Sequence, residues 1–349
     1  MTVHLRVDLA QLPGYVSGPL PPDPILLCAN ESALPPPPEV IAAVAGAAGR
    51  INRYPDPAAT ALRARLAEHV GVPVQQLAVG CGSVALCQQL VQACCVPGAG
   101  DEVMFAWRSF EAYPIVTSIA GAVPVAVPLD TNWTHDLPAM LAAITPRTRV
   151  IFVCDPNNPT STTVGRQSLA AFLAAVPPTV LVVLDEAYHD YAATPVNGIA
   201  LRERYPNVSV LRTFSKAYGL AGIRVGYLVA DKQVIEAVDK VRIPFALSSV
   251  AQAAAIAALS VAPEVARTAA TLGVERDRVA TALAALGRPV PTPHANFVWL
   301  PLGDRTTSFD QHCLANGIVT RCYPGDGARI TIGLPEENDR LLKAAESVT

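Results

Sequence analysis

The chain has 349 residues, 51% hydrophobic and 16% charged, which excludes disorder and allows a large core in two domains. A formal net charge of −3 without any Lys/Arg run leaves no electrostatic footprint for nucleic acid. No stretch approaches the apolar length of a membrane span, and the opening MTVHLRVDLAQLPGY lacks the apolar centre of a secretion signal. Low charge fits a chain that covers further surface in an oligomer. Eight scattered cysteines (28, 81, 87, 94, 95, 154, 313, 322) form no C-x-x-C and meet no clustered histidines. Neither a disulfide framework nor a metal site follows, and reducing cytoplasm is the expected compartment.

Residues 1–37 are proline-rich, ending in Pro35-Pro36-Pro37-Pro38, and read as an extended arm carrying Tyr15 in LPGYVSG. A helix from Glu39 to about Gly49 is followed by Arg53-Tyr54-Pro55-Asp56-Pro57, whose prolines fix an extended turn presenting Tyr54. Ala59 to Val70 is a second helix. Strand Leu77–Val79, a glycine turn through Ser83 and a helix from Val84 place Gly82, Ser83 and Val84 at a helix N-terminus, an anion site made of backbone N–H groups. Gly80-x-Gly82-x-x-Ala85 also mimics a dinucleotide fingerprint. That reading requires an acid at the end of the next strand, whereas Asp101 and Glu102 precede Val103–Ala106, so it is rejected.

After FAWRSFEAY at 105–113, strands near 123–127, 149–154, 180–184, 208–211 and 225–230 alternate with helical stretches, the pattern of a doubly wound, mostly parallel sheet. IFVCDPNNPT (151–160) runs from strand into a turn bearing Asn157. TVLVVLDEAY (179–188) is an apolar strand ending in Asp185, Glu186 and Tyr188, and open α/β sheets bind ligands at that end. A Walker B or metal role for the acidic pair lacks any G-x-x-x-x-G-K-[ST] partner. LRTFSKAYGLAGIRVGY (211–227) sets Lys216 after Thr213 and Ser215, with Arg224 following among glycines. A lysine at the mouth of a buried strand loses basicity, which suits Schiff-base chemistry, and the hydroxyls and arginine can cradle a phosphate. A surface Ser-Lys in a Gly-rich turn is the plain alternative. The carboxylate decides against it: Asp185 for a pyridine nitrogen, with Tyr188 and Asn157 for the ring's 3-oxygen, completes the kit for pyridoxal 5′-phosphate (PLP).

Helices at 231–241, 247–261 and about 263–286 lead to a composition break at Pro289-Val290-Pro291. Strand, helix, strand, strand and helix follow between 295 and 347, with Arg321 in GIVTRCY and Arg329 in ARITIG. The expected division is an arm (1–37), a large domain (38–250) and a small domain (251–349). A strand arginine that pairs with a surface acid is the plain alternative for Arg329.

In order, Tyr54-Pro55-Asp56-Pro57, Gly80-Cys81-Gly82-Ser83, Asn157-Asn158-Pro159, Asp185-Glu186-Ala187-Tyr188, Ser215-Lys216 and Arg224 resemble the fold-type I PLP aminotransferases. Within these the chain is similar to the histidinol-phosphate aminotransferase branch, and most to the aromatic (phenylalanine) aminotransferases once grouped with it. The likeness runs from about Leu12 to the end. It implies a three-layer α/β/α large domain with a mostly parallel sheet and a smaller α+β C-terminal domain. It implies PLP held on Lys216, with Gly82, Ser83, Val84, Thr213, Ser215 and Arg224 around it and Phe110 stacked on its ring. Asp185 and Tyr188 would tune the ring while Lys216 moves the α-proton. Arg329 would hold the substrate α-carboxylate, Tyr15 would reach the site, and Tyr54 would cross a homodimer interface to the other subunit's phosphate. Phe110 stands where tyrosine is commoner, Trp107 and Arg108 depart from the histidinol-phosphate pattern, and Ser161 replaces the usual glycine.

The implied reaction moves an amino group between an aromatic L-amino acid and a 2-oxo acid such as 2-oxoglutarate. Histidinol phosphate is the alternative substrate, with Arg321 and Tyr15 serving its phosphate, but Trp107 and Phe110 suit an aromatic ring better. A PLP lyase or decarboxylase would use the same fold. A PLP-binding regulator would need a DNA-binding appendage or basic patch that is missing from the sequence.

Overall fold

The computed structural model describes Val3, Arg6, Leu12 and residues 22–347; Tyr15 lies outside the described residues. In chain order the strands are β1 (Ile25–Leu26), β2 (Leu77–Gly80), β3 (Glu102–Trp107), β4 (Val123–Pro128), β5 (Thr148–Cys154), β6 (Leu181–Asp185), β7 (Val208–Thr213), β8 (Gly226–Val229), β9 (Phe297–Leu300), β10 (Ile318–Val319), β11 (Arg321–Tyr323) and β12 (Gly327–Thr331). Seven of them form one sheet in the order β2-β8-β7-β6-β5-β3-β4. Only β8 runs antiparallel to its neighbours in that sheet.

Helices cover both faces, so the central strands read as unbroken apolar runs. Successive side chains still separate: Val182, Leu184 and Val210 join one buried cluster, while Leu181, Val183 and Leu211 join another on the opposite face. Each of these fully buried aliphatic side chains contributes roughly 1.5–3 kcal/mol. This is the expected three-layer α/β/α unit. Its parallel strands end together at Trp107, Cys154, Asp185 and Thr213, and the turns that follow them carry the residues of interest.

The second unit is α+β. It contains the antiparallel sheet β11-β12-β9 and the helices Ala262–Ala285, Thr306–Ala315 and Pro335–Glu346. The packing departs from the expected division at both ends. Helix Ser249–Ser260 buries Ala251, Ala254, Ala255 and Ala258 in the large unit's cluster, so a cut at residue 250 falls within the first turn of a helix that packs with the sheet unit. Ile25 and Leu27, expected in an arm, belong to the small unit's core, where β1 pairs in parallel with β10.

Candidate active site

Lys216 sits in the turn after β7, half-buried, with Nζ donating to the carbonyls of Ala29 and Asn30, both at 3.1 Å. Burial, and then the neighbouring Arg329 charge, push its pKa down to about 8. An amine so placed spends part of its time neutral near physiological pH, as a nucleophile or base must.

Asp185, the last residue of β6, is 2% exposed. Burial pushes its carboxyl up to about 6, while hydrogen bonds from Tyr113 Oη (2.8 Å, to Oδ2) and the Ala187 N–H (3.2 Å, to Oδ1) favour the anion. Tyr113 is itself fully buried and stacks on Phe152 at 4.5 Å between ring centroids. Tyr188 Oη accepts from Asn30 Nδ2 at 3.0 Å. Asn30 adopts a left-handed backbone (φ 54°), and its side chain and backbone also bond Thr331. One asparagine thus fastens the chain before the first long helix to the wall that holds Lys216 and Tyr188.

Helix Gly82–Cys94 begins without a side-chain cap, leaving first-turn N–H groups unpaired by any capping side chain. Gly82 has φ 77°, and a Cβ there would collide with the Arg224 guanidinium. Arg224 is also left-handed (φ 62°) and donates from Nη1 to Ser215 Oγ at 3.3 Å and Ala221 O at 3.0 Å. Backbone N–H groups, hydroxyl and guanidinium converge because glycine lets them approach, a cradle suited to phosphate.

These groups open on a single cavity of about 920 Å³. Its lining includes Ser83, Val84, Phe110, Asp185, Tyr188, Thr213, Ser215, Lys216, Arg224, Arg321 and Arg329, so the two arginines of the small unit meet the turns of the large one. Asn157 is a correction. It is 0% exposed, with Nδ2 donating to Arg108 O and Thr160 Oγ1 while Oδ1 accepts from Ser109 Oγ. Its amide is consumed inside the turn, and Asn158 lines the cavity instead. Trp107 is a second correction: it packs in the core near Phe105 and under Arg108, outside the cavity lining. Ser161 keeps a left-handed backbone (φ 62°), as a glycine would, and its Oγ accepts from the N–H groups of His294 and Ala295.

Arg329 is 7% exposed; Nη1 donates to Asn158 Oδ1 at 2.6 Å, Nη2 donates to Cys28 O, and the buried Nε has no partner among the described residues. Arg321 Nη2 donates to both oxygens of Glu111, at 3.0 and 2.9 Å. Tyr54 is 83% exposed, its ring 4.6 Å from that of the exposed Phe245, and it stands apart from this chain's own cavity lining. Asn158, Tyr113, Asn30 and Glu111 escaped the sequence reading. Asn158 lay within the quoted Asn157-Asn158-Pro159 turn without a role, Tyr113 and Glu111 lay in the SFEAY run around Phe110, and Asn30 left no signal.

A doubly wound sheet with this lysine, carboxylate and anion cradle at its carboxyl edge defines fold type I of the aminotransferases. The "Aminotransferase class I and II" family model matches residues 22–344, and the chain belongs to that family. It is 55% identical over 347 residues to an aromatic amino acid aminotransferase of Rhodococcus jostii (strain RHA1), covering 99% of this chain and 96% of that one. It is 53% identical over 349 residues to the protein of the same name from Mycolicibacterium smegmatis, again with 99% and 96% coverage. Among solved structures it is similar to histidinol-phosphate aminotransferase from Sinorhizobium meliloti in complex with pyridoxal-5′-phosphate, with TM-score 0.89, 29% identity and coverage of 99% and 97%.

Proposed function

We propose that the chain is a PLP-dependent transaminase that moves the amino group between an aromatic L-amino acid, of the phenylalanine or tyrosine type, and a 2-oxo acid such as 2-oxoglutarate. The observation that carries this reading is the desolvated amine of Lys216 facing the same cavity as the buried carboxylate of Asp185. The names of the half-identical relatives support the aromatic substrate class.

PLP, when bound, supplies a conjugated ring that accepts the electron pair of the bond broken at the substrate's Cα. Lys216 would hold the cofactor through its amine, and the same amine would be placed to move the proton at Cα as base and then as acid. Asp185 holds a proton on the pyridine nitrogen, and Tyr113 keeps that carboxylate ionised and oriented. Ser83, Val84, Ser215 and Arg224 would hold the phosphate, Phe110 would face the ring, and Tyr188 with Asn158 would serve the 3-oxygen. Arg329 holds the carboxylate beside the reacting carbon through its fork and free Nε. Tyr54 donates to the phosphate in the other subunit of a homodimer, which is consistent with its distance from its own chain's cavity. Eight free thiols fit a reducing cytoplasm.

Specificity constants of the purified enzyme for L-phenylalanine and L-histidinol phosphate, each with 2-oxoglutarate, test the reading. Preference for phenylalanine is expected; preference for the phosphate ester would replace the aromatic assignment with histidinol-phosphate transamination.

A further inference from the structure

Arg321 and Arg329 are direct cross-strand partners on β11 and β12, so the two guanidinium side chains leave the same face of the sheet, and both line the cavity. They are not equivalent. Arg329 keeps a buried, unpartnered Nε, whereas Arg321 gives Nη2 to both oxygens of Glu111 and Tyr323 Oη adds a longer bond to the same carboxylate at 3.4 Å. Glu111 lines the cavity too. Four cationic side chains line it (Lys216, Arg224, Arg321 and Arg329), and the proposed function uses all except Arg321.

We infer that Glu111 is a specificity-determining residue: by holding Arg321 it leaves Arg329 as the sole unneutralised arginine for the anion beside Cα, so the pocket accepts carboxylates and turns away phosphate monoesters. This rests on the reading that Arg329 anchors the group beside Cα. An amino acid presents there a planar anion of charge −1, matched by one guanidinium fork. Histidinol phosphate carries a phosphate ester in place of the carboxylate, with charge of about −2 and three acceptor oxygens. Such a group calls for both arginines. Here it would have to break the Glu111 pair and then lie against the released carboxylate, an arrangement that selects by repulsion as well as attraction.

The test uses holoenzyme, whose cofactor phosphate site is filled, as wild type, Glu111→Gln, Arg321→Ala and the double variant. Glu111 is half-exposed and Gln preserves its shape; Glu111→Ala serves as a second removal of the charge. Two quantities are read: the dissociation constant of inorganic phosphate, and the ratio of kcat/KM for L-histidinol phosphate to that for L-phenylalanine. The expected result is that Glu111→Gln tightens phosphate and raises the ratio, each by about tenfold or more. The gain should vanish when Arg321 is also removed. Unchanged phosphate affinity and ratio in Glu111→Gln, or the same gain without Arg321, overturns the inference. A wild type that fails to turn over phenylalanine would refute the aromatic reading, and phosphate affinity would still decide the role of Glu111.

Discussion

The phenol of Tyr113 donates to Oδ2 of Asp185 at 2.8 Å, joining residues 72 apart in sequence in the buried layer at the cavity wall. Burial and this bond oppose each other. Burial raises the Asp185 pKa to about 6, and Tyr113 restrains the rise. As pH falls through that value in the cofactor-free chain, Asp185 becomes neutral and loses its attraction for a protonated ring nitrogen. PLP uptake, followed by absorbance across a pH series, should therefore weaken toward acid pH.

Tyr113→Phe keeps the ring stacked on Phe152 but removes the donor. The Asp185 pKa then rises further, so the acid loss of PLP affinity should begin at higher pH. A hydrogen bond to a charged group is worth roughly 1.5–3 kcal/mol, so neutral-pH affinity should drop about tenfold or more. An unchanged pH midpoint in Tyr113→Phe would show that the bond does not tune Asp185.

Strands and the lysine turn were legible in the sequence because fully buried parallel strands are continuous apolar runs, and catalytic turns follow their ends. Adjacent asparagines defeated that reading. Asn157 and Asn158 are chemically identical, and only the backbone path of the turn decides that the first is consumed by Ser109, Arg108 and Thr160 while the second faces the cavity. Asn30 bonds Tyr188 across 158 residues and Glu111 bonds Arg321 across 210, separations at which local periodicity carries no information. The helix at the expected division, Ser249–Ser260, was hard to assign for a related reason. An Ala-rich helix is apolar on every side, and its composition does not say which core it joins.

In the proposed reaction Arg329 would anchor the one group common to both co-substrates, the carboxylate beside the reacting carbon. Arg329→Ala and Arg329→Lys should lower kcat/KM in both half-reactions by similar factors while PLP stays bound. Removing one partner of such a pair costs ~2–5 kcal/mol at ~1.4 kcal/mol per tenfold, which places the loss well above tenfold. Half-reaction kinetics with phenylalanine and with 2-oxoglutarate check this; a defect confined to the acidic co-substrate would reassign the anchor.

Tyr54 exposes most of its surface beside the exposed Phe245, as the proposed crossing to another subunit requires. The enzyme should sediment as a dimer, and Tyr54→Phe should weaken PLP retention by about tenfold, one hydrogen bond to a charged group. Heterodimers of Tyr54→Phe with Lys216→Ala subunits should have activities that depend on which subunit carries which change. Wild-type PLP retention by Tyr54→Phe in a confirmed dimer would argue against the crossing.

Lys216 is the central assignment, and the sequence makes its test clean, because the chain contains four lysines, at 216, 232, 240 and 343. Incubating the protein with PLP, reducing with borohydride and mapping peptides by mass locates the amine that carries the cofactor. One stoichiometric pyridoxyl adduct is expected on Lys216, and Lys216→Ala should stay folded without the adduct or turnover. A stoichiometric adduct on Lys232, Lys240 or Lys343, or normal transamination by Lys216→Ala, would contradict it.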